Sequence, residues 1–389
     1  MLSKKDIVRF RSESPGCSEV LHFNNAGAAL MPQAVLDAQI DYLNLEARIG
    51  GYEAKSVNAN RYADIYTSIA KLLNADIAEV ALMENATVAW LAAFGAISFK
   101  PGDRIVIARE SYASNYLNFL LVKERFGVEI VTVDPTDSGE LSLDDLQNKI
   151  DDRTRLIAIT HIPTGGGVVN PAEAVGKLER PSDCYYLLDG CQSAGQMPVD
   201  MQKIGCDFFS ATGRKWLRGP RGTGFLYVRK DRLEELKPAV LDLHSAELLS
   251  SASYVIRDDA RRFENWESNF AAHFGLGVAV DYALEVGIEA IWQRVQQLAK
   301  TLRSGLAKLP GVTVHDIGTV QSGIVTFSSE RENPATIQQR LRKDNINVSI
   351  AVPSGTILDA EARKLPDMIR ASAHYYNTEE EIERFLTVL

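Results

Sequence analysis

Between about residues 80 and 230 the apolar positions fall in short runs rather than in helical stripes. Arg104-Ile-Val-Ile-Ala108, Val128-Glu-Ile-Val-Thr-Val133 and Leu156-Ile-Ala-Ile-Thr160 each read as a buried strand, as do Tyr185-Tyr-Leu-Leu188, Asp207-Phe-Phe209 and Gly224-Phe-Leu-Tyr-Val228. Turn signals and amphipathic stretches such as Leu141 to Ile150 separate several of them. Near-continuous apolar strands alternating with helical segments predict an α/β domain whose largely parallel sheet is covered on both faces. Past residue 286 the pattern changes. Ile288, Ile291, Val295, Leu298, Leu302 and Leu306 recur at threes and fours, which predicts one helix face, and Pro310-Gly311 stops it. Val312 to Val314, Ile324 to Phe327 and Ile346 to Val352 read as strands, and Asn333-Pro334 opens a further helix. Thr378-Glu-Glu-Glu381 is a capping box that opens the last one. The expected organisation is a large α/β domain over residues 15–285 and a small one built from 1–14 and 286–389.

Charge narrows the partners. Forty-two Lys and Arg against 51 Asp and Glu leave a net charge of −9, which argues against nucleic-acid binding over a broad surface. No apolar run approaches the roughly 18 residues of a membrane helix, and MLSKKDIVRFRSESPG has no apolar core of a secretory signal behind its basic residues. Cys17, Cys184, Cys191 and Cys206 lack paired metal-ligand spacing, so no metal is expected and a reduced, cytoplasmic enzyme is the default.

The densest chemistry lies in Asp207-Phe-Phe-Ser-Ala-Thr-Gly-Arg-Lys-Trp-Leu-Arg-Gly-Pro-Arg-Gly-Thr-Gly224. A strand runs into a polar turn, and Lys215 follows, flanked by Arg214, Arg218 and Arg221. Neighbouring cations favour the neutral amine that a Schiff-base nucleophile needs. On spacing alone, a basic surface loop accounts for it equally well. Upstream, Asp189 closes the apolar strand Tyr185-Tyr-Leu-Leu188, which places a carboxylate at the sheet's carboxyl edge, where it can hold a pyridinium nitrogen protonated. Alone, Asp189 also reads as a helix cap after a strand. Together with Lys215 it points to pyridoxal phosphate, with Gln192 placed to hydrogen-bond a ring substituent.

With these motifs in order, the chain resembles the class V aminotransferases, fold-type-I pyridoxal-phosphate enzymes that include cysteine desulfurases, kynureninases and isopenicillin N epimerase. The resemblance spans nearly the whole chain and rests on Asn24-Asn-Ala-Gly27, Asn85-Ala-Thr87, Ser111-Tyr-Ala-Ser-Asn115, His161-Ile-Pro-Thr-Gly165, Asp189-Gly-Cys-Gln192, Thr212-Gly-Arg-Lys215 and Arg370-Ala-Ser-Ala-His-Tyr-Tyr-Asn-Thr378. It implies a large domain with a mainly parallel sheet of the seven-stranded type, plus a small C-terminal α/β domain. It implies that Lys215 carries the cofactor, that Asp189 pairs with its ring nitrogen and that Gln192 contacts its phenolic oxygen. Ala86 and Thr87 at a helix start, with Thr212 and Arg214, would hold the phosphate. Tyr112 would stack on the ring and Thr164 would border it. Arg370 would grip the substrate carboxylate bidentately, with Asn25, His161 and Trp266 as further substrate contacts. For His161 and Trp266, a plain structural role has at least equal weight. A homodimer with shared sites is implied as well.

Two departures bear on the reaction. The segment Ile350-Ala-Val-Pro-Ser-Gly-Thr-Ile-Leu-Asp-Ala-Glu-Ala-Arg363 contains no cysteine where desulfurases of this family carry their sulfur acceptor, and Trp266-Glu267 stand where those enzymes have Gly-Thr. The expectation is therefore an enzyme that is not a persulfide-forming desulfurase. It is instead expected to be a C–S lyase that eliminates the β-substituent of a cysteine-derived amino acid, giving pyruvate and ammonia. The motifs Phe-Glu-x-Trp-Glu and Arg-Ala-Ser-x-His-Tyr-Tyr-Asn-Thr resemble the ergothioneine-pathway lyases most. An aminotransferase and an amino-acid epimerase are the alternatives.

Overall fold

The computed structural model describes residues 2–389. Its centre is a seven-stranded sheet in the order Val80–Met83, Gly224–Val228, Phe208–Thr212, Tyr185–Asp189, Thr154–Thr160, Arg104–Ala108, Glu129–Val133. Gly224–Val228 runs antiparallel to both neighbours, and the other pairings are parallel. Strands Tyr185–Asp189 and Phe208–Thr212 are buried at every residue. Tyr186, Leu188 and Phe209 enter the core on one face, while Tyr185, Leu187 and Phe208 enter the core on the other. Burial on both faces is why these strands read as unbroken apolar runs instead of alternating ones. Val80–Met83, only four residues long, is the one strand of this sheet that the apolar pattern does not announce.

Parallel register brings Thr160, Asp189 and Ser210 side by side at one edge of the sheet. Sites in such sheets lie beyond that edge.

A four-stranded antiparallel sheet, Val312–Val314, Ile324–Ser329, Met368–Ser372 and Ser349–Ala351, forms the second unit. Helix Ile288–Leu306 covers it with Leu298, Leu302 and Leu306 against Phe327 and Ile369, as the three-and-four spacing predicts. The last helix, Glu379–Val388, opens on a reciprocal cap. The Glu381 N–H donates to Thr378 Oγ1 at 3.2 Å, and the Thr378 N–H donates to the Glu381 carboxylate at 3.2 Å. The run 346–352 divides instead of forming one strand. Ile346–Asn347 pairs in parallel with Leu21–His22, and Ser349–Ala351 pairs with Met368–Ser372. Residues 21–22 thus extend the second unit from within the stretch assigned by sequence to the first.

Candidate active site

Lys215 follows strand Phe208–Thr212 in a turn closed by Arg218 N–H to Lys215 O at 3.0 Å and Gly219 N–H to Gly213 O at 2.8 Å. Only 8% of Lys215 is exposed, and its Nζ donates to Cys191 Sγ at 3.2 Å. Burial pushes the Lys215 ammonium below the usual lysine range; Arg214 and Arg370 push the same way, with Cys191 opposing. Asp189, at the end of its strand, accepts the Cys191 N–H at 3.0 Å on Oδ1 and the Asn115 amide at 2.8 Å on Oδ2. Burial raises its carboxyl above the usual range against those two bonds and the Lys215 charge.

These groups line one cavity of about 320 Å³, with Ala86, Thr87, Tyr112, Thr164, Gln192, Thr212 and Arg214 in its wall. Helix Ala86–Gly95 starts there, capped by Asn85, whose Oδ1 accepts the Val88 N–H at 3.0 Å. Its other first-turn N–H groups have no intrahelical acceptor, which makes the helix start an anion site. Gly224 allows the close approach that brings this helix start against the lysine strand, since a Cβ there would lie 2.8 Å from the Asn85 backbone. The Thr212 hydroxyl donates to Thr223 O at 3.2 Å, and Arg214 donates to Gly27 O. One end of the cavity therefore offers amide donors, hydroxyls and a guanidinium to an anion. A buried carboxylate waits for a cation, and an amine of lowered basicity lies in the same wall. That donor set fits pyridoxal phosphate, which carries a phosphate, a ring nitrogen that can hold a proton and an aldehyde.

The family model for Aminotransferase class-V matches residues 21–385. The chain belongs to that family. It is accordingly a pyridoxal-phosphate-dependent enzyme of fold type I. A probable cysteine desulfurase of Xylella fastidiosa is 30% identical over 401 residues, covering 99% of this chain and 95% of the relative. The solved apo structure of a cysteine desulfurase from Thermococcus onnurineus NA1 superposes with a TM-score of 0.91 at 26% identity, covering 100% of this chain and 97% of that one. A solved C-DES variant with glycine covalently linked to its PLP cofactor shares the fold, with a TM-score of 0.86 at 24% identity over 97% and 98% of the two chains.

These relatives overturn the exclusion of persulfide-forming desulfuration drawn from the cysteine-free segment 350–363, and with it the preference for elimination to pyruvate. The exclusion treated one loop as the only place for an acceptor thiol, and loops are where related chains differ most. The finer likeness to ergothioneine-pathway lyases rests on its motifs alone.

In this class V enzyme the remaining expected site residues divide. Arg370, on Met368–Ser372, lies behind Thr164, donating to its carbonyl at 3.2 Å and its hydroxyl at 2.5 Å, and to Ser349 Oγ at 3.0 Å. Burial, reinforced by Arg214, holds its guanidinium at about 10. Gln192 has both amide ends engaged, donating to Ala26 O at 3.1 Å and accepting the Trp216 indole N–H at 2.9 Å.

Arg370 thus stands behind the cavity wall, and three further candidates lie away from it. His161 sits between Thr160 and Ile162, which line it; alternation along extended chain turns the imidazole to the opposite face, into a separate cavity of about 740 Å³. Asn25 is fully buried as a strut, donating to Ser372 O at 2.7 Å and accepting from the Tyr376 hydroxyl. Trp266 is 46% exposed on the surface, with the Lys55 ammonium 5.4 Å from its ring. Arg218, read as a cation beside the lysine, points away instead and bonds Tyr375, Leu30 and Ser14. Asn115 and Cys191 are among the cavity residues that went unassigned in the sequence. Asn115 stands one helical turn beyond Tyr112, at the spacing that puts two side chains on one face, and that spacing was the available signal.

Proposed function

We propose that this enzyme removes sulfur from L-cysteine or a close derivative and releases alanine. What supports this is the Lys215–Asp189 cavity in a chain whose full-length relatives are named cysteine desulfurases. Bound pyridoxal phosphate supplies an electron sink for the bonds at the substrate Cα. The chain's own residues would do the rest. Ala86 and Thr87 at the helix start, Thr212 and Arg214 hold the phosphate, while Tyr112 covers one ring face and Gln192 fixes the ring's edge. Asp189 keeps the proton on the ring nitrogen. Arg370, braced by Thr164 and Ser349, receives the substrate carboxylate. Lys215, with its low basicity, holds the cofactor and moves the proton at Cα. The test is incubation of the holoenzyme with L-cysteine and a dithiol, followed by assay of products. Alanine with sulfide is expected; pyruvate with ammonia, or no product at all, would refute the reading.

The same reading includes a homodimer. The hairpin Ala246–Ser250/Ser253–Ile256 stands apart from the main sheets and exposes Leu248, Leu249, Tyr254 and Val255. A two-stranded hairpin with bare apolar side chains needs cover, and a second copy supplies it, with Trp266 reaching toward that copy's cavity. A sedimentation mass of one chain would refute this. None of the described helices is long and apolar enough to cross a membrane, and the cysteines are unpaired, which accords with a cytoplasmic enzyme.

A further inference from the structure

The turn Asp189-Gly190-Cys191-Gln192 is unusually constrained. A Cβ on residue 190 would fall 2.0 Å from the Phe209 ring, so only glycine lets the chain pass there. The turn is then pinned by the Cys191 N–H donating to Asp189 Oδ1 at 3.0 Å. These constraints deliver the Cys191 thiol into the cavity wall, 3.2 Å from Lys215 Nζ. Cys17, Cys184 and Cys206 do not line that cavity. The segment 350–363 packs behind the wall residue Thr164, which a Cβ on Gly355 would approach to 3.7 Å, and it carries no thiol.

We propose that Cys191 is the sulfur acceptor of this enzyme, with Lys215 as the base that removes its proton. The proposal rests on the desulfurase reading above. Lys215 is free to meet the thiol once the substrate amine has taken its place on the cofactor; at that contact of 3.2 Å burial raises the thiol and lowers the lysine ammonium, which brings their proton affinities closer together. Proton transfer from Sγ to Nζ then makes the nucleophile where it is used. The Arg214 charge favours the thiolate once it forms. Cys191 Sγ attacks the substrate sulfur; the S–S bond forms as the substrate Cβ–S bond breaks, and the electron pair stays on carbon. That carbon takes a proton and leaves as alanine. The acceptor sulfur is oxidised to the persulfide as the substrate carbon is reduced, so no outside oxidant enters. An added dithiol then removes the outer sulfur as sulfide, closing on itself as a disulfide.

The test is a single exposure of holoenzyme to stoichiometric L-cysteine without other thiols, followed by acid quench, alanine assay and peptide mass spectrometry. Expected are one alanine per site and the mass of one added sulfur atom on the peptide containing Cys191. Cys191→Ser should keep the cofactor's visible absorbance band but lose alanine formation by roughly tenfold or more. A second readout needs no turnover: in cofactor-free protein, Lys215→Ala should slow alkylation of Cys191 at neutral pH several-fold. Sulfur found on another cysteine, sulfide released with Cys191 unmodified, or wild-type alanine yield from Cys191→Ser overturns the acceptor while leaving desulfuration intact. Alanine from neither protein overturns desulfuration, and the acceptor with it.

Discussion

Asp189 and Asp207 lie on adjacent strands of one sheet and are both buried, but they sit near opposite edges and in opposite company. Asp207, just before Phe208–Thr212, has no exposed surface and is surrounded: Arg229 at 2.8 Å, Arg232 at 3.0 Å, Arg180 at 3.7 Å and the Tyr186 N–H at 2.6 Å. Asp189 has one amide, one backbone N–H and the field of a single lysine whose basicity burial lowers. A buried carboxylate with full compensation serves the fold, because its cost is met inside the chain. One left short of positive charge is poised for a ligand that brings it. The edge holding Asp207 is thus scaffold, and the edge holding Asp189 is site.

Mutations separate the two edges. The largest effect belongs to Lys215→Ala, which should lose the cofactor's visible absorbance band and roughly 10⁴-fold in kcat; a retained band would remove the lysine from its role. Asp207→Ala should destabilise by roughly 3–5 kcal/mol in urea unfolding, because three guanidinium groups lose their anion, with kcat per folded molecule unchanged. A mutant that unfolds normally but turns over poorly would reverse the assignment of edges. Asp189→Asn should do the opposite, lowering kcat by roughly 10²-fold with Tm held or raised, since it removes a charge whose burial is costly. Wild-type turnover in that variant would leave Asp189 with no more than a packing role.

The smallest expected effect sharpens the comparison with a third carboxylate. Glu110 is 2% exposed, one of its oxygens lacks a partner, and burial, with Asp359 adding to it, raises it to about 7 despite Arg109 and Arg363. Its folded pKa lies above its unfolded value. Wild-type stability should therefore fall as pH climbs from the ordinary glutamate range through 7. Glu110→Gln removes that charge and should be more stable than wild type by about 1–2 kcal/mol at pH 8, with the difference vanishing near pH 4. A Tm difference independent of pH would show that folding leaves the Glu110 pKa where it is in the unfolded chain.

Much of this was legible in the sequence, and the physical reasons are specific. Strands such as Tyr185–Asp189 announce themselves because both faces are buried, and helix Ile288–Leu306 because only one is. Lys215 and Asp189 were readable because each follows a strand end, where side chains converge on one edge. The pairing of Leu21–His22 with Ile346–Asn347 was not, because two-residue contacts between distant segments leave no periodicity. His161 was misplaced for want of counting faces: one position either way points into the cavity. A cysteine-free stretch at 350–363 says nothing about thiols elsewhere in the wall, and Cys191, within Asp189-Gly-Cys-Gln192, stands in it.

Arg218 shows how little play surrounds the lysine. Three residues beyond Lys215, in a left-handed backbone conformation and 1% exposed, it binds Tyr375 Oη at 2.6 Å, Leu30 O at 2.8 Å and Ser14 at once. The amino-terminal segment, the lysine turn and the stretch after the small sheet are riveted at one guanidinium. Hinging between the two units about this point would break three bonds together, so the frame that carries Lys215 is held as one piece.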